Sequence, residues 1–336
     1  MPERLVLATD HPWPSVEAEV QTLAAVDARL VIAPTGEPAE LIELAREADA
    51  ILTCFARTGE AVVAAAERLQ VIGRYGIGVD NIAVDAATAR GVLVTNVPSY
   101  CEQEVAEHAL ALMLALARRL AVYDAGVRSG DWSLARGAPI HRVHGRTLGI
   151  VGFGHIGRAL AAKASALGLA VIAHHPRSTS AIVAAGHEAV SLPELAARSD
   201  FVSLHVPLTD ETTHLVDEAF LRAMRPTAVL VNTARGLVVD QAALARALTE
   251  GWIAGAAADV FSPERLDPGD PLLAAPNLIA TPHVAYYSEE SLVDLGRLAA
   301  ENVAAVFAGR MPAAVVNPAV LELDRWRHLA PAAGRR

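Results

Sequence analysis

The chain has 336 residues, a length that suits two domains better than one. Hydrophobic residues make up 53% of the sequence, which is enough for large buried cores. The formal net charge is −10 and no basic block stands out, so the composition argues against a nonspecific nucleic-acid surface. Apolar runs stay shorter than the ~18 residues that cross a bilayer.

The two cysteines, Cys54 and Cys101, are too few for a disulfide framework and lack the spacing of a metal site. The first residues also lack the basic and apolar segments of a signal peptide. We therefore expect a cytoplasmic protein that has no metal centre and does not act on nucleic acids or membranes.

Along the first hundred residues, short apolar runs alternate with helical patterns. Strands are predicted over residues 4–9, 30–33, 50–54, 69–74 and 92–97, and helices over residues 15–26 and 60–69. This alternation is typical of a doubly wound parallel sheet with helices on both faces. It ends at Pro98 and predicts a domain of its own.

A long apolar helix is predicted over residues 102–120, followed by an irregular segment over residues 126–144. The helix is more apolar than a single buried face requires, so we expect it to lie between domains or between subunits. The sequence therefore predicts a homodimer with this helix in the interface.

A second alternation of strands and helices follows. Strands are predicted over residues 170–173, 201–206, 228–233, 253–260 and 278–280, and helices over residues 241–249 and 288–307. Ser191 and Glu194 have the spacing of a capping box and predict a short helix. Residues 309–317 form a tail that can return to the first domain.

The chain is organised around the stretch from Thr147 to Arg158. Its order of apolar strand, Gly-x-Gly-x-x-Gly and alanine-rich helix is the fingerprint of dinucleotide binding. Gly152 permits a tight turn, Gly154 lets the backbone approach a pyrophosphate, and Gly157 lets the helix pack closely on the strand. The helix N-terminus then attracts the phosphates. An ordinary βα turn is the alternative interpretation, but both flanks fit the fingerprint.

Three loops that follow predicted strands carry chemically active side chains, namely Arg235, Glu264 and His283. Ligands bind at the carboxyl ends of the strands in doubly wound sheets, so we expect these loops at the edge that holds the nucleotide. Taken singly, the three also fit a surface charge, a solvated loop residue and a structural histidine. Together they suit hydride transfer to a keto acid. Arginine binds a carboxylate, and histidine protonates the carbonyl oxygen. The neighbouring carboxylate holds the tautomer of the imidazole and raises its pKa.

Over nearly its whole length the chain resembles the D-isomer-specific 2-hydroxyacid dehydrogenases. Besides the fingerprint, the matching motifs are Gly73-Arg74-Tyr75-Gly76-Ile77-Gly78-Val79-Asp80-Asn81, Asn96-Val97-Pro98, His205-Val206-Pro207-Leu208, Val231-Asn232-Thr233-Ala234-Arg235-Gly236, Gly255-Ala256-Ala257-Ala258-Asp259-Val260-Phe261 and Thr281-Pro282-His283.

The resemblance implies that Arg235 binds the substrate and that Glu264 and His283 form the acid–base pair. It also implies that Asp259 contacts the nicotinamide amide. The N–H groups of Ile77 and Gly78 would receive the substrate carboxylate. With these, we expect a substrate site of Arg74, Ile77, Gly78 and Tyr286, and a cofactor site of Gly152, Gly154, His155, Ile156, Gly157, His175, Pro176, Arg177, Val206, Pro207, Thr212, Thr233, Ala234 and Asp259.

Two departures from the family pattern concern the site. The family usually continues Glu-Pro where this chain has Glu264-Arg265, so the local turn can differ. The segment from His283 to Ser291 is similar to the C-terminal-binding-protein branch, which carries a pocket tryptophan at the position of Tyr286. We favour a pocket position for Tyr286 over a surface position at the start of a helix.

Two classes of function remain open at this point. The first is a metabolic 2-hydroxyacid dehydrogenase. The second is a dinucleotide-dependent binding or corepressor protein with vestigial chemistry. The intact Arg235, Glu264 and His283 favour the first, as does the lack of a long disordered extension. The absence of a regulatory domain after residue 336 argues against an allosteric phosphoglycerate dehydrogenase.

The resemblance also implies two doubly wound α/β domains with the active site in the cleft between them. The substrate-binding domain is expected to be discontinuous, with residues 1–99 and 287–336. The dinucleotide-binding domain, of the Rossmann type, would span residues 100–286.

A nicotinamide cofactor is expected, and the strand after the fingerprint helix bears on its type. An NAD-specific site needs an acidic residue at the end of this strand. This chain has His175 there, and Arg177 can pair with a 2′-phosphate. The sequence therefore favours NADP(H). A tolerant pocket, in which Arg177 points to solvent and NAD still binds, is the alternative.

Overall fold

The computed structural model describes residues 3–329 and divides the chain into two compact units. One unit comprises the residues up to Tyr100 together with those from Ser288 onward, and the other runs from Cys101 to Tyr287. Each unit contains one parallel sheet covered by helices, so the predicted fold class of two parallel α/β sheets is confirmed. Residues 1–2 and 330–336 of the predicted substrate-binding domain lie outside the described residues.

The first unit holds a five-stranded sheet in the order β2-β1-β3-β4-β5. Its strands are β1 (Arg4–Ala8), β2 (Ala28–Ile32), β3 (Ala50–Thr53), β4 (Val71–Arg74) and β5 (Leu93–Thr95). Its helices are α1 (Glu17–Ala24), α2 (Pro38–Ala45), α3 (Glu60–Ala65), α4 (Val84–Ala89) and, after the second unit, α12 (Glu289–Phe307). Strands β3, β4 and β5 are buried along their whole length, as expected for a parallel sheet covered on both faces.

Helix α12 begins where the sequence predicts, because Ser288 and Ser291 form a reciprocal capping box. The helix packs on α1 and on β4, where a Cβ placed on Gly73 would meet Leu52 and Val303 at 2.7 and 3.4 Å. The C-terminal residues thus complete the core of the unit that the N-terminal residues begin.

The tail after α12 returns to the first unit, as predicted, through Asn317. Its Oδ1 accepts a hydrogen bond from the N–H of Val94 at 2.8 Å. Its Nδ2 donates to the Val92 carbonyl and to Thr88 Oγ1, both at 2.9 Å. The neighbouring Val316 N–H donates to the Val94 carbonyl at 2.8 Å. The tail therefore serves as a hydrogen-bonding partner for the edge strand β5.

The second unit holds a seven-stranded parallel sheet in the order β12-β11-β10-β9-β6-β7-β8. Its strands are β6 (Thr147–Val151), β7 (Ala170–His174), β8 (Glu188–Ala189), β9 (Phe201–Leu204), β10 (Val229–Asn232), β11 (Gly255–Ala258) and β12 (Leu278–Ala280). Its helices are α5 (Glu102–Ala117), α6 (Leu120–Arg128), α7 (His155–Ala166), α8 (Thr179–Ala184), α9 (Leu192–Arg198), α10 (Glu218–Ala223) and α11 (Gln241–Thr249). The strand order reverses between β6 and β9, which is the point where doubly wound sheets bind their ligands.

The prediction of a single helix over residues 102–120 is wrong. Helix α5 ends at Ala117, and α6 starts at Leu120 and continues to Arg128, inside the predicted irregular segment. The break lies at Arg119, which adopts a left-handed backbone with φ 54° and donates from Nη1 to the Ala254 carbonyl at 3.2 Å. Much of the apolar surface of α5 packs inside its own unit, against α7, β10 and β11.

No helix between residues 3 and 329 has both the length and the apolar character needed to span a bilayer.

We predict that Asn317→Ala destabilises the protein, because it leaves the buried N–H of Val94 and the carbonyl of Val92 without their partner. The loss in the free energy of unfolding should be about 2–4 kcal/mol. Chemical denaturation monitored by circular dichroism measures it. Glu322→Ala, an exposed change in the same tail, is the control and should have little effect. Equal stability of the two variants would contradict the anchoring role.

Candidate active site

The fingerprint turn lies at the switch point of the second sheet, between β6 and α7. Gly152 has φ 96°, and a Cβ there would lie 2.3 Å from the His205 carbonyl oxygen. A Cβ on Gly157 would lie 2.2 Å from the Gly152 carbonyl oxygen, so both positions require glycine. At Gly154, the N-cap of α7, a Cβ would meet nothing within 4 Å. The turn is therefore packed on its inner side and open at Gly154, which is the shape that a dinucleotide pyrophosphate needs.

The strand after the fingerprint helix ends in three basic residues. His174 Nδ1 lies 3.0 Å from the Val190 carbonyl oxygen. His175 Nδ1 accepts the Arg177 N–H at 3.1 Å. Burial and the neighbouring Arg177 charge lower the pKa of His175 below its ordinary value. The side chain of Arg177 is exposed. The lowered pKa favours the neutral form of His175, so Arg177 provides the fixed positive charge at this strand end.

The loop after β9 carries the predicted residues Val206, Pro207 and Thr212. Thr212 Oγ1 donates to the Pro207 carbonyl at 2.7 Å and accepts the Thr209 N–H at 2.8 Å, which fixes the loop. The preceding His205 has its Nε2 2.8 Å from Ser203 Oγ, and burial lowers its pKa to about 4. His205 is therefore a neutral structural side chain beside the fingerprint turn rather than an acid.

The loop after β10 is held by Asn232, whose Oδ1 accepts the Ala234 N–H at 3.0 Å and whose Nδ2 donates to the Arg235 carbonyl at 2.9 Å. Arg235 Nη1 donates to the Ala234 carbonyl at 2.7 Å. The hydroxyl of Thr233 is buried without a hydrogen-bond partner among the described residues. Its donor and acceptor capacity suits a polar ligand group at this edge of the sheet.

Asp259 follows β11 and is fully buried, and its carboxylate binds the loop that carries His283. Oδ1 accepts the hydroxyl of Thr281 at 2.5 Å and the Val284 N–H at 3.0 Å. Oδ2 accepts the Ala285 N–H at 2.9 Å. The Asp259 carbonyl accepts the His283 N–H at 2.7 Å. Asp259 therefore holds the loop from both sides of His283.

His283 and Glu264 lie together as the sequence predicts, with Nδ1 of the imidazole 3.1 Å from Glu264 Oε2. The side chain of His283 is 21% exposed and that of Glu264 is 49% exposed, so the pair is accessible from solvent. His283 has a left-handed backbone with φ 55°, a conformation that few non-glycine residues adopt and that recurs at functional sites. The ring of Tyr286 lies edge-on to the imidazole, with 6.1 Å between the ring centroids.

Of the predicted substrate residues of the first unit, Arg74 is the last residue of β4, and Ile77 and Gly78 lie in the turn that follows it. The side chain of Arg74 is directed into the core, where Nη1 donates to the carbonyls of Tyr75 and Thr53. Asn96 Nδ2 donates to the Ile77 carbonyl at 2.8 Å, and the Val97 N–H donates to the Gly76 carbonyl at 3.0 Å. These bonds fix the backbone of the turn that contains Ile77 and Gly78. Direct contact of Arg74, Ile77 and Gly78 with a substrate stays a prediction.

One residue near the site was missed in the sequence, namely His108 on α5. Its Nε2 lies 3.1 Å from Thr281 Oγ1 and 3.6 Å from Asp259 Oδ1. The available signal was a pair of ionisable residues, Glu107 and His108, that interrupts the apolar run from Ala106 onward. Glu107 forms a surface ion pair with Lys163 at 2.9 Å.

Residues 110–285 match the NAD-binding domain of the D-isomer specific 2-hydroxyacid dehydrogenases. The glyoxylate reductase of Korarchaeum cryptofilum is 43% identical over 288 residues, which cover 84% of this chain and 87% of the relative. The chain belongs to the D-isomer-specific 2-hydroxyacid dehydrogenase family. It is an NAD(P)-dependent oxidoreductase that transfers hydride between a nicotinamide cofactor and a 2-hydroxy or 2-keto acid, as predicted.

Two similar crystal structures contain different nicotinamide cofactors. One is the NADPH-dependent glyoxylate/hydroxypyruvate reductase of Sinorhizobium meliloti in complex with NADP and malonate, which has a TM-score of 0.81 and 30% sequence identity. The match covers 94% of this chain and 97% of the reductase chain. The other is the D-lactate dehydrogenase of Aquifex aeolicus complexed with NAD and lactic acid, which has a TM-score of 0.82 and 29% sequence identity. The match covers 91% of this chain and 96% of the dehydrogenase chain. The fold thus accommodates either cofactor.

We predict that Gly154→Ala and Gly157→Ala separate cofactor binding from folding. Gly154→Ala should fold normally, because its Cβ meets no protein atom, but it should bind reduced nicotinamide cofactor at least tenfold more weakly. Gly157→Ala should lose stability, because its Cβ collides with the Gly152 carbonyl. Thermal unfolding and cofactor fluorescence titration measure the two effects. Undiminished cofactor affinity in Gly154→Ala would contradict the placement of the pyrophosphate at this turn.

Proposed function

We propose that the protein reduces a small 2-keto acid, of the size of glyoxylate or hydroxypyruvate, with NADPH. The observation that carries this proposal is the 3.1 Å contact between His283 and Glu264, in which His283 lies on a loop held by hydrogen bonds to the buried Asp259 carboxylate. The names of several relatives, glyoxylate reductase, support the substrate class. The bulk of Tyr286 beside the imidazole supports a small substrate.

Each catalytic residue has a separate role in this proposal. Arg235 binds the carboxylate of the keto acid and orients its carbonyl group. When bound, the reduced nicotinamide supplies the hydride to the carbonyl carbon. The protonated imidazole of His283 donates its proton to the carbonyl oxygen, which yields the 2-hydroxy acid. Glu264 accepts a hydrogen bond from Nδ1 and stabilises the charged imidazole before that transfer.

We assign the two units of the chain to the two predicted domains. The unit around the fingerprint, Cys101–Tyr287 in the structure and residues 100–286 in the prediction, would bind the dinucleotide. Its cofactor site would comprise Gly152, Gly154, His155, Ile156, Gly157, His175, Pro176, Arg177, Val206, Pro207, Thr212, Thr233, Ala234 and Asp259. Residues 1–99 and 287–336 would form the substrate-binding domain, with Arg74, Ile77 and Gly78 in its site. Tyr286, beside His283 in the dinucleotide-binding unit, would contact the substrate. A cytoplasmic location stays a prediction from composition.

The preference for NADP(H) rests on the charges at the end of β7. His175 stands where an NAD-specific site has a carboxylate, and its lowered pKa favours the neutral imidazole. The guanidinium of Arg177 can then pair with a 2′-phosphate. The Thr209 hydrogen bond is the main cause of the lowered pKa of Glu211, and the Arg177 charge makes a smaller contribution.

A corepressor with vestigial chemistry is not favoured. The acid–base pair is intact and oriented, and the relatives that match most of the chain are named as dehydrogenases or reductases.

We still propose a homodimer, but we place its interface in the segment that follows α5 rather than on α5 itself. Helix α5 buries much of its apolar face inside its own unit. In the following segment, by contrast, large apolar side chains are exposed, namely Leu120, Val127, Trp132 and Leu134 at 57, 45, 80 and 85%. Such a concentration is typical of an interface between subunits.

The catalytic assignment predicts a graded loss. With glyoxylate as substrate, His283→Ala should lower kcat by about 10²–10⁴-fold, because the proton donor is removed. Glu264→Gln should retain more activity. As the pH rises, however, its rate should begin to decline at a lower pH than the wild-type rate does, because the imidazolium loses its charged partner. Steady-state kinetics over a range of pH measures both. Wild-type turnover by His283→Ala would end the assignment.

The cofactor assignment predicts that kcat/KM is higher for NADPH than for NADH. Both values are measured with the same keto acid at the same concentration. Arg177→Ala should abolish this preference while leaving the NADH reaction nearly unchanged. Arg198→Ala, which removes an exposed arginine paired with Glu188 and Glu194 elsewhere in the same unit, is the control. A tenfold preference for NADH in the wild type, about 1.4 kcal/mol, would show that the pairing with Arg177 is wrong.

The oligomer assignment predicts a dimer by light scattering at micromolar concentration. Trp132→Glu combined with Leu134→Glu should yield a monomer, because two charges cannot be buried in an apolar interface. Val183→Glu changes another exposed apolar residue of the same unit, 62% exposed on α8, and should leave the dimer intact. A monomeric wild type would refute the proposal.

A further inference from the structure

We propose that His108 is a positioning residue for the acid–base site. It would act through Thr281 and Asp259 on the loop that carries His283. This inference rests on the proposed function, because it assigns a role within the same site. His108 projects from α5, whereas Thr281 and Asp259 follow β12 and β11. The contact therefore links a helix that packs on the sheet to the carboxyl edge where the chemistry is expected.

The hydrogen bonds assign the direction of donation in this network. A threonine hydroxyl has one proton, and Thr281 donates it to the Asp259 carboxylate at 2.5 Å. At its contact of 3.1 Å with His108 Nε2, the same hydroxyl oxygen can then only accept. His108 therefore carries a proton on Nε2 and donates it to Thr281. Through that donation His108 fixes the rotamer of the hydroxyl.

The Asp259 carboxylate, which accepts the Thr281 hydrogen bond, also fixes the backbone conformation on both sides of His283. Asp259 accepts the N–H groups of Val284 and Ala285 through its side chain, and that of His283 through its carbonyl. Its side chain is fully buried, so its orientation depends on these donors and on Thr281. His108 Nε2 also lies 3.6 Å from Asp259 Oδ1, within ion-pair distance.

Loss of the His108 donor should therefore displace the loop slightly rather than unfold the unit. The imidazole of His283 must meet a carbonyl oxygen within hydrogen-bonding distance, and a misplacement of about 1 Å can lower turnover by about 10²-fold. The fingerprint turn lies after β6, on a different strand. Substitution of His108 should accordingly lower kcat and spare cofactor affinity.

The experiment compares six variants of the full chain in glyoxylate reduction with NADPH and with NADH. His108→Phe keeps the ring and removes the donor, and His108→Gln keeps a donor at the position of Nε2. Thr281→Val removes the hydroxyl, and Thr281→Ser keeps it. The double variant His108→Phe/Thr281→Val completes a mutant cycle. Glu107→Gln, at the adjacent surface position of α5, is the matched control and should behave as the wild type.

We expect His108→Phe and Thr281→Val each to lower kcat by about 10–100-fold, with less than about threefold change in cofactor Kd. The double variant should be no slower than the slower single variant, because both remove the same interaction. His108→Gln and Thr281→Ser should stay within about fivefold of the wild type. Full activity of His108→Phe, or multiplicative losses in the double variant, would overturn the proposal.

Failure of this inference is distinguishable from failure of the proposed function. If the wild type reduced no 2-keto acid with either cofactor, the proposed function would fail, and this inference with it. If the wild type were active and His108→Phe equally active, the inference alone would fail. Should His108→Phe not fold, the pair Thr281→Val and Thr281→Ser decides the matter. Equal activity of these two would refute the proposal, since the hydroxyl would then have no role.

Discussion

The buried carboxylate of Asp259 is the constraint on which the candidate active site depends. A charge without exposure to water is tolerated only when hydrogen bonds replace its hydration, and such a group strongly restricts its partners. Here the partners are the Thr281 hydroxyl and two consecutive N–H groups after His283. The left-handed backbone of His283, a conformation that costs of order 1–3 kcal/mol in a non-glycine residue, persists because its neighbours are held in this way.

The same device recurs at other strand ends. Asp10 accepts three consecutive N–H groups from Cys54, Phe55 and Ala56, and Asn232 bridges the loop that leads to Arg235. In each case a short polar side chain replaces the partners that the backbone loses when it leaves the sheet. The loops that carry Arg235 and His283 are thus held to the strand ends by hydrogen bonds. Such rigidity is what a reaction that depends on precise orientation requires.

The parts of this architecture that were predictable from sequence are those with local causes. The fingerprint glycines, the Ser191 cap and helix α11 over residues 241–249 depend on neighbouring residues, and the structure has them where they were predicted. The break at Arg119 was not predictable, because no glycine or proline marks it and a distant carbonyl, that of Ala254, stabilises it. His108 was missed for the same reason. Its partners are more than 150 residues away in sequence.

The discontinuity of the first unit has a consequence for synthesis on the ribosome. The sheet of this unit is complete at Thr95, but helix α12, which packs on α1 and β4, begins only at Glu289. At roughly 5–20 residues per second, translation of the intervening residues takes about 10–40 s. During that interval the nascent sheet lacks its cover, while the dinucleotide unit becomes complete. The unit that is begun first is therefore finished last, and the apolar face that α12 covers is the last part of its core to be buried.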